Sequence, residues 1–216
     1  GQIHALFGPN GAGKTTVFNL LTKFLIPTRG QILFNGQDIT AEKPAQVARR
    51  GLVRSFQISA VFGQMSVLEN VTLAPLKVLK ADRAEAEAKA MALLKRIGLE
   101  AKATEYPDRL SGGQQQMLAI SRALMANPDL ILLDEPTSGI STADKRGIMD
   151  TLMEAAKISG IKTILLVEHD MELVAEYSTR IVALAEGQLL ADLPPKEFFA
   201  NAELEAQIIG KRVSHA

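Results

Sequence analysis

The chain has 216 residues, 47% of them apolar and 22% charged, with 24 Lys plus Arg against 24 Asp plus Glu. That length supports one domain with a sizeable core, and the even charge balance shows none of the basic excess that nucleic-acid binding uses. Cys is absent, which excludes disulfides and Cys-ligated metals; no apolar run is long enough to span a bilayer, and the start of the chain has no secretory pattern.

Residues 2–7 alternate apolar and polar and predict a strand. GPNGAGKTT follows at 8–16, with the G-x-x-x-x-G-K-[ST] spacing of a phosphate-binding loop between a strand and a helix. Gly8, Gly11 and Gly13 allow tight turns that bring backbone N–H groups toward phosphate oxygens, and Pro9, Asn10, Ala12 and Thr16 complete the cradle. Lys14 can reach the β- and γ-phosphates, and the Thr15 hydroxyl is placed to bind Mg²⁺. A helix from 14 to about 25 turns its positive end on the anion, and Pro27 and Gly30 end it.

Residues 31–34 predict a short strand, with Asn35-Gly36 as a hairpin signal. A short helix is expected at 44–50 and a strand at 51–56. The pattern then turns helical, at 66–79, 81–97 and about 113–126. Ala84, Ala88, Met91 and Leu94 fall at helical spacing in the second of these, with Gly98 as its stop. Strand–helix alternation resumes with a buried strand at 130–133, a helix at 142–158 and a buried strand at 163–167. After these come a helix at 170–177, strands at 180–185 and 188–192, and two short helices between 194 and 210. The order predicts a mainly parallel α/β core with an all-helical insertion at about 58–127 and a small antiparallel element.

Two further segments carry chemistry. LILLDEP, 130–136, is a buried strand ending in adjacent carboxylates. Side chains alternate along a strand, so Asp134 can face a metal ion while Glu135 faces an attacking water. LSGGQQQ, 110–116, opens a helix with Ser111, Gly112, Gly113 and Gln114, a small, backbone-exposing start suited to an anion. No Lys follows, so it has the makings of half a phosphate clamp.

GPNGAGKTT, LSGGQ and ILLDEP in this order resemble the ATP-binding-cassette (ABC) ATPases, and the likeness covers essentially the whole chain. The resemblance implies a P-loop NTPase fold, one ABC ATPase domain over 1–216 lacking its N-terminal start, and ATP with Mg²⁺ as ligands. By the same resemblance Gln57 looks like the glutamine that senses Mg²⁺ and water, and His169 like the histidine that contacts the γ-phosphate. Glu135 would be the catalytic carboxylate, and Thr15, Gln57 and Asp134 the metal-side residues. Ser111, Gly112, Gly113 and Gln114 would cover the nucleotide of a second copy.

A narrower resemblance, carried by IPTRGQILFNGQDIT, ARRGLVRSFQ, VFGQMSVLENV and VEHDMELV, is to the ATPases of branched-chain amino-acid importers. It implies transmembrane permease subunits, a second nucleotide-binding subunit, no nucleic-acid partner and a peripheral place on the cytoplasmic face of the inner membrane. Two features depart from the pattern. Ser141, in SGIS, stands where the family usually has Asp, and can cap the next helix with Asp144 in a capping box. The aromatic residue on which the family stacks adenine would lie before Gly1. Two other readings stay open: a cassette that works without a permease, and a regulatory switch that binds ATP without turnover, against which Glu135 argues.

Overall fold

The computed structural model describes residues 1–55 and 61–209. Its strands are β1 (Gln2–Phe7), β2 (Leu33–Phe34), β3 (Gln37–Asp38), β4 (Leu52–Ser55), β5 (Leu130–Asp134), β6 (Thr163–Val167), β7 (Arg180–Ala185) and β8 (Gln188–Leu193). Its helices are α1 (Lys14–Leu21), α2 (Pro44–Arg49), α3 (Val67–Lys77), α4 (Arg83–Arg96), α5 (Gly112–Leu124), α6 (Thr142–Ile158), α7 (Met171–Tyr177), α8 (Pro195–Ala200) and α9 (Ala202–Ile209).

Six strands form one sheet in the order β4-β5-β6-β1-β7-β8, parallel except for the antiparallel edge strand β8. Helices on both faces make its central strands apolar on both sides. In β5, Ile131 and Leu133 pack toward α5 and α6, while Leu132 packs with Phe18 of α1 and Val47 of α2. A third cluster joins Phe7 and Ile181 to Val174, Phe198 and Ile208.

Between β4 and β5 the described residues, from 61 on, carry α3, α4 and α5 and no strand. The core around Val67, Val71, Leu94 and Leu118 runs without a break into Ile131, Met149 and Leu166 of the sheet and α6. β2 and β3 form a separate two-stranded sheet. Its turn has Asn35 at φ 50° and Gly36 at φ 75°, two successive left-handed residues that match the twist of a two-residue hairpin.

The expected element order is the observed one, with shifts at the ends. The first helix stops at Leu21 rather than near 25: Lys23 has φ 65°, and the Leu25 N–H bonds back to the Asn19 carbonyl. A left-handed residue cannot continue a right-handed helix. The expected strand at 31–34 keeps only Leu33–Phe34. α4 starts at Arg83, not 81, because the Asp82 carboxylate caps it through the Ala84 and Glu85 N–H groups.

Candidate functional site

The phosphate loop follows β1 at the carboxyl end of the sheet, where parallel α/β sheets place their ligands. Gly8 passes so close to β7 that a Cβ there would lie 2.2 Å from the Leu184 carbonyl oxygen. The other side of the loop rests on the β7–β8 turn, where the Gly187 N–H donates to the Ala12 carbonyl at 3.2 Å. The N-cap of α1 is Gly13, with φ 102° and no side-chain hydrogen bond to the helix start. Its leading N–H groups therefore stay directed at the space in front of the helix. The Lys14 ammonium is buried and folds over the loop, donating to the carbonyls of Gly8 at 2.7 Å and Pro9 at 2.9 Å.

Opposite the loop are the tips of β5 and β6. Asp134 and Glu135 point apart, as alternation requires, but a backbone twist contributes: Glu135 is left-handed, at φ 48°. A non-glycine residue held there is strained, and such strain is maintained where the surroundings fix it. The Asp134 carboxylate accepts from Arg54 at 2.6 Å. Arg54 also donates to Asn19 at 2.8 Å and lies over the Phe18 ring, 5.3 Å from its centroid. Glu135 turns instead to His169, with 2.7 Å between Oε1 and Nε2. When the carboxylate is ionised, that nitrogen carries the proton. Asp170 beside it caps α7 and pairs with Lys145 at 3.1 Å. Burial works to raise its pKa, but the Lys145 hydrogen bond and charge and the Leu173 and Glu172 N–H groups outweigh it, leaving Asp170 below the ordinary carboxylate value.

One cavity of about 320 Å³ is lined by Asn10, Gly11, Ala12, Gly13, Lys14, Thr15, Thr16, Asp134, Glu135, Val167 and His169. It unites most of the residues that the sequence picks out. Gly8 and Pro9 shape the loop behind it, and Gln57 lies outside the described residues. Ser111, Gly113 and Gln114 are elsewhere, lining a second cavity with Gly139, Ile140, Ser141 and Asp144. There the Ser111 hydroxyl accepts the Gln114 N–H at 3.3 Å and the Gln114 side chain accepts the Ser111 N–H at 3.0 Å, a reciprocal capping box.

At Ser141 the expected capping box takes another form. Its hydroxyl accepts the Asp144 N–H at 3.3 Å, but donates to the Asp144 carboxylate at 2.6 Å, so that carboxylate binds the hydroxyl rather than the backbone.

The set also includes residues that sequence reasoning passed over. Arg54 is the only charge in its four-residue strand LVRS, a signal available in the sequence. Glu168 and Thr137 meet only in three dimensions.

A glycine loop at the end of a parallel strand, an uncapped helix start, a buried Lys and two carboxylates across one cavity define a P-loop nucleoside triphosphatase. Residues 1–138 match the family model described as ABC transporter. The high-affinity branched-chain amino acid transport ATP-binding protein LivG of Escherichia coli K12 is 37% identical over 224 residues, covering 97% of this chain and 88% of that protein. The glutamine transport ATP-binding protein GlnQ of Geobacillus stearothermophilus is 35% identical over 207 residues, covering 95% of this chain and 84% of that protein. The ADP conformation of MJ1267, an ATP-binding cassette of an ABC transporter, superposes with a TM-score of 0.85 at 29% identity, covering 99% of this chain and 88% of that one. The chain belongs to the ABC transporter family and is an ATP-binding, ATP-hydrolysing domain of it.

Proposed function

We propose that this chain is the ATP-hydrolysing subunit of an amino-acid importer, working as one of two nucleotide-binding subunits against permease subunits on the cytoplasmic face of the membrane. The observation that carries this reading is the single cavity joining the phosphate loop to Asp134, Glu135 and His169. Two relatives of nearly equal similarity are named for different amino acids. They support amino acids as the cargo class, and the branched-chain lineage of VEHDMELV favours branched-chain ones. Among the described residues no helix is long and apolar enough to cross a membrane, so on this reading the permease supplies the membrane path. The segment at about 58–127 acts as a helical subdomain within the ATPase domain.

Lys14 and the N–H groups that open α1 neutralise phosphate charge. Mg²⁺ binds hard oxygen donors and keeps much of its shell for water and phosphates, so a few protein oxygens suffice. Thr15 and Asp134 line one cavity and fit that demand. No group of three or more His, Cys, Asp or Glu among the described residues offers a self-sufficient metal site. Thr15, Asp134 and Gln57 would hold the ion, whose bound charge eases the approach of a nucleophile to the γ-phosphate. Glu135 takes the proton of the attacking water. His169 orients the Glu135 carboxylate and the γ-phosphate. Ser111, Gly112, Gly113 and Gln114 cover the nucleotide of the partner copy.

Purification of the natural complex, followed by uptake of leucine and glutamine into proteoliposomes loaded with ATP, tests the reading. ATP-dependent uptake of an amino acid is expected. Full ATPase activity with no co-purifying permease and no uptake would favour a cassette that works without one.

A further inference from the structure

Behind the Glu135–His169 pair is a buried acid to which the mechanism gives no task. Glu168 is only 4% exposed and Thr137 only 1%. One Glu168 oxygen, Oε1, accepts the Thr137 backbone N–H at 3.1 Å and its hydroxyl at 2.5 Å. The other, Oε2, accepts the His169 N–H at 3.1 Å. The Glu135 N–H in turn donates to the Val167 carbonyl at 2.9 Å, and the Ser138 N–H to the Glu135 carbonyl at 3.0 Å. With the 2.7 Å contact from His169 to Glu135, these bonds close a ring: Glu135, its loop through Thr137, Glu168, His169, and back to Glu135.

A carboxylate is an expensive group to bury. It loses its hydration unless donors surround it, and an apolar residue of similar size would often serve stability as well. What the carboxylate adds is direction. A hydrogen bond to a carboxylate is stronger than one between neutral groups, and here both oxygens accept, one from each loop, with the Thr137 hydroxyl making the short contact. The strained backbone of Glu135, at φ 48°, needs such surroundings to persist.

We propose that Glu168 is a positioning residue: through Thr137 on one side and the His169 backbone on the other, it fixes the separation of Glu135 and His169 required for water attack. The proposal rests on the catalytic reading of Glu135 and His169 given above. Thr137→Val removes one hydroxyl and keeps the shape. Glu168→Gln keeps the shape but turns one acceptor into a donor that faces a backbone N–H whichever way the amide lies.

The test measures kcat and KM for ATP, ATP affinity in the absence of turnover, and the thermal midpoint, for Thr137→Val, Thr137→Ser, Glu168→Gln and, as control, Glu135→Gln. Thr137→Val should lower kcat about tenfold with KM and ATP affinity within about twofold. Glu168→Gln should lower kcat about thirtyfold or more, and Thr137→Ser should recover kcat to within about twofold of the parent, since it restores the donor. A structural role alone would lower the thermal midpoint and the folded fraction without this split between kcat and KM. Parental kcat in Thr137→Val, or a loss in Thr137→Ser equal to that in Thr137→Val, would overturn the proposal. If Glu168→Gln does not fold, Thr137→Val and Thr137→Ser still decide it. Near-normal turnover in Glu135→Gln would instead overturn the underlying reading of the site.

Discussion

Two helices of this molecule start from glycine-rich sequence and end up differently equipped. α1 has Gly13 at its N-cap and no side-chain cap, with the Lys14 ammonium folded over the preceding loop. α5 has Ser111 at its N-cap, and Ser111 and Gln114 satisfy each other's backbone N–H groups. The first start is left for an outside anion to complete. The second completes part of itself, has no Lys, and lines a different cavity. The contrast teaches that glycine content alone does not make a phosphate cradle. On the proposed reading α5 offers a stiff half-site that becomes useful against the nucleotide of a second chain.

The most severe way to break the comparison is to disable chemistry on the α1 side alone. Glu135→Gln should lower turnover about a hundredfold or more, about 3 kcal/mol of barrier, while ATP binding stays within about threefold. Phosphate release and calorimetric titration measure the two effects, and near-normal turnover would remove Glu135 from its role.

The next largest effect separates the two helix starts directly. Lys14→Ala should weaken ATP binding to the monomer about tenfold to a hundredfold, through the loss of a charge-assisted contact worth roughly 1.5–3 kcal/mol. Gln114→Ala should move the same titration by less than about threefold. Equal losses in both variants would mean that the α5 start contacts the nucleotide of its own chain.

A smaller effect is expected at the cap. Ser111→Ala should destabilise the fold by about 1 kcal/mol, the ordinary value of an N-cap. In the Glu135→Gln background with ATP and Mg²⁺ it should also weaken the dimer that sedimentation detects. An ATP-trapped dimer indifferent to Ser111 would place the α5 start outside the subunit interface.

The smallest effect is in the brace beside the α1 site. The Tyr177 hydroxyl donates to Asp150 at 2.7 Å and to the Arg146 carbonyl at 3.3 Å, tying α7, which follows His169, to α6. Burial, then the hydrogen bond and charge of Asp150, push its pKa up from 10.0 to about 12. The raised value favours the neutral phenol. Its contribution is therefore full below pH 10 and disappears as the pH rises through about 12. Tyr177→Phe should cost less than about 1 kcal/mol at neutral pH and lose that part of the alkaline dependence. Thermal melts across the alkaline range read it, and an unchanged dependence would show that the phenol does not report the α6–α7 contact.

Much of the site was legible because its chemistry is local in sequence. The spacing of Gly8, Gly13 and Lys14 by itself produces a loop that wraps phosphate, and LILLD announces a buried strand with carboxylates at its tip. Element order followed from apolar periodicity, and the ends that moved did so for backbone reasons, such as the left-handed Lys23. Arg54 was visible as a charge inside a short strand, but its partners Asp134 and Asn19 are 80 and 35 residues away, and no local pattern joins them.

The order of strands and helices, the phosphate loop and the family were determined by the sequence itself, because turn chemistry, side-chain periodicity and motif spacing act over a few neighbouring residues. Only the tertiary structure decided that Asp134 turns to Arg54 while Glu135 turns to His169, that the Ser111 helix start lines a different cavity from the phosphate loop, and that Glu168 joins two loops. The reason is physical. Adjacent parallel strands β5 and β6 bring residues more than thirty positions apart to within hydrogen-bond distance, and which donor meets which acceptor there depends on sheet register and backbone angle, neither of which a local sequence pattern encodes.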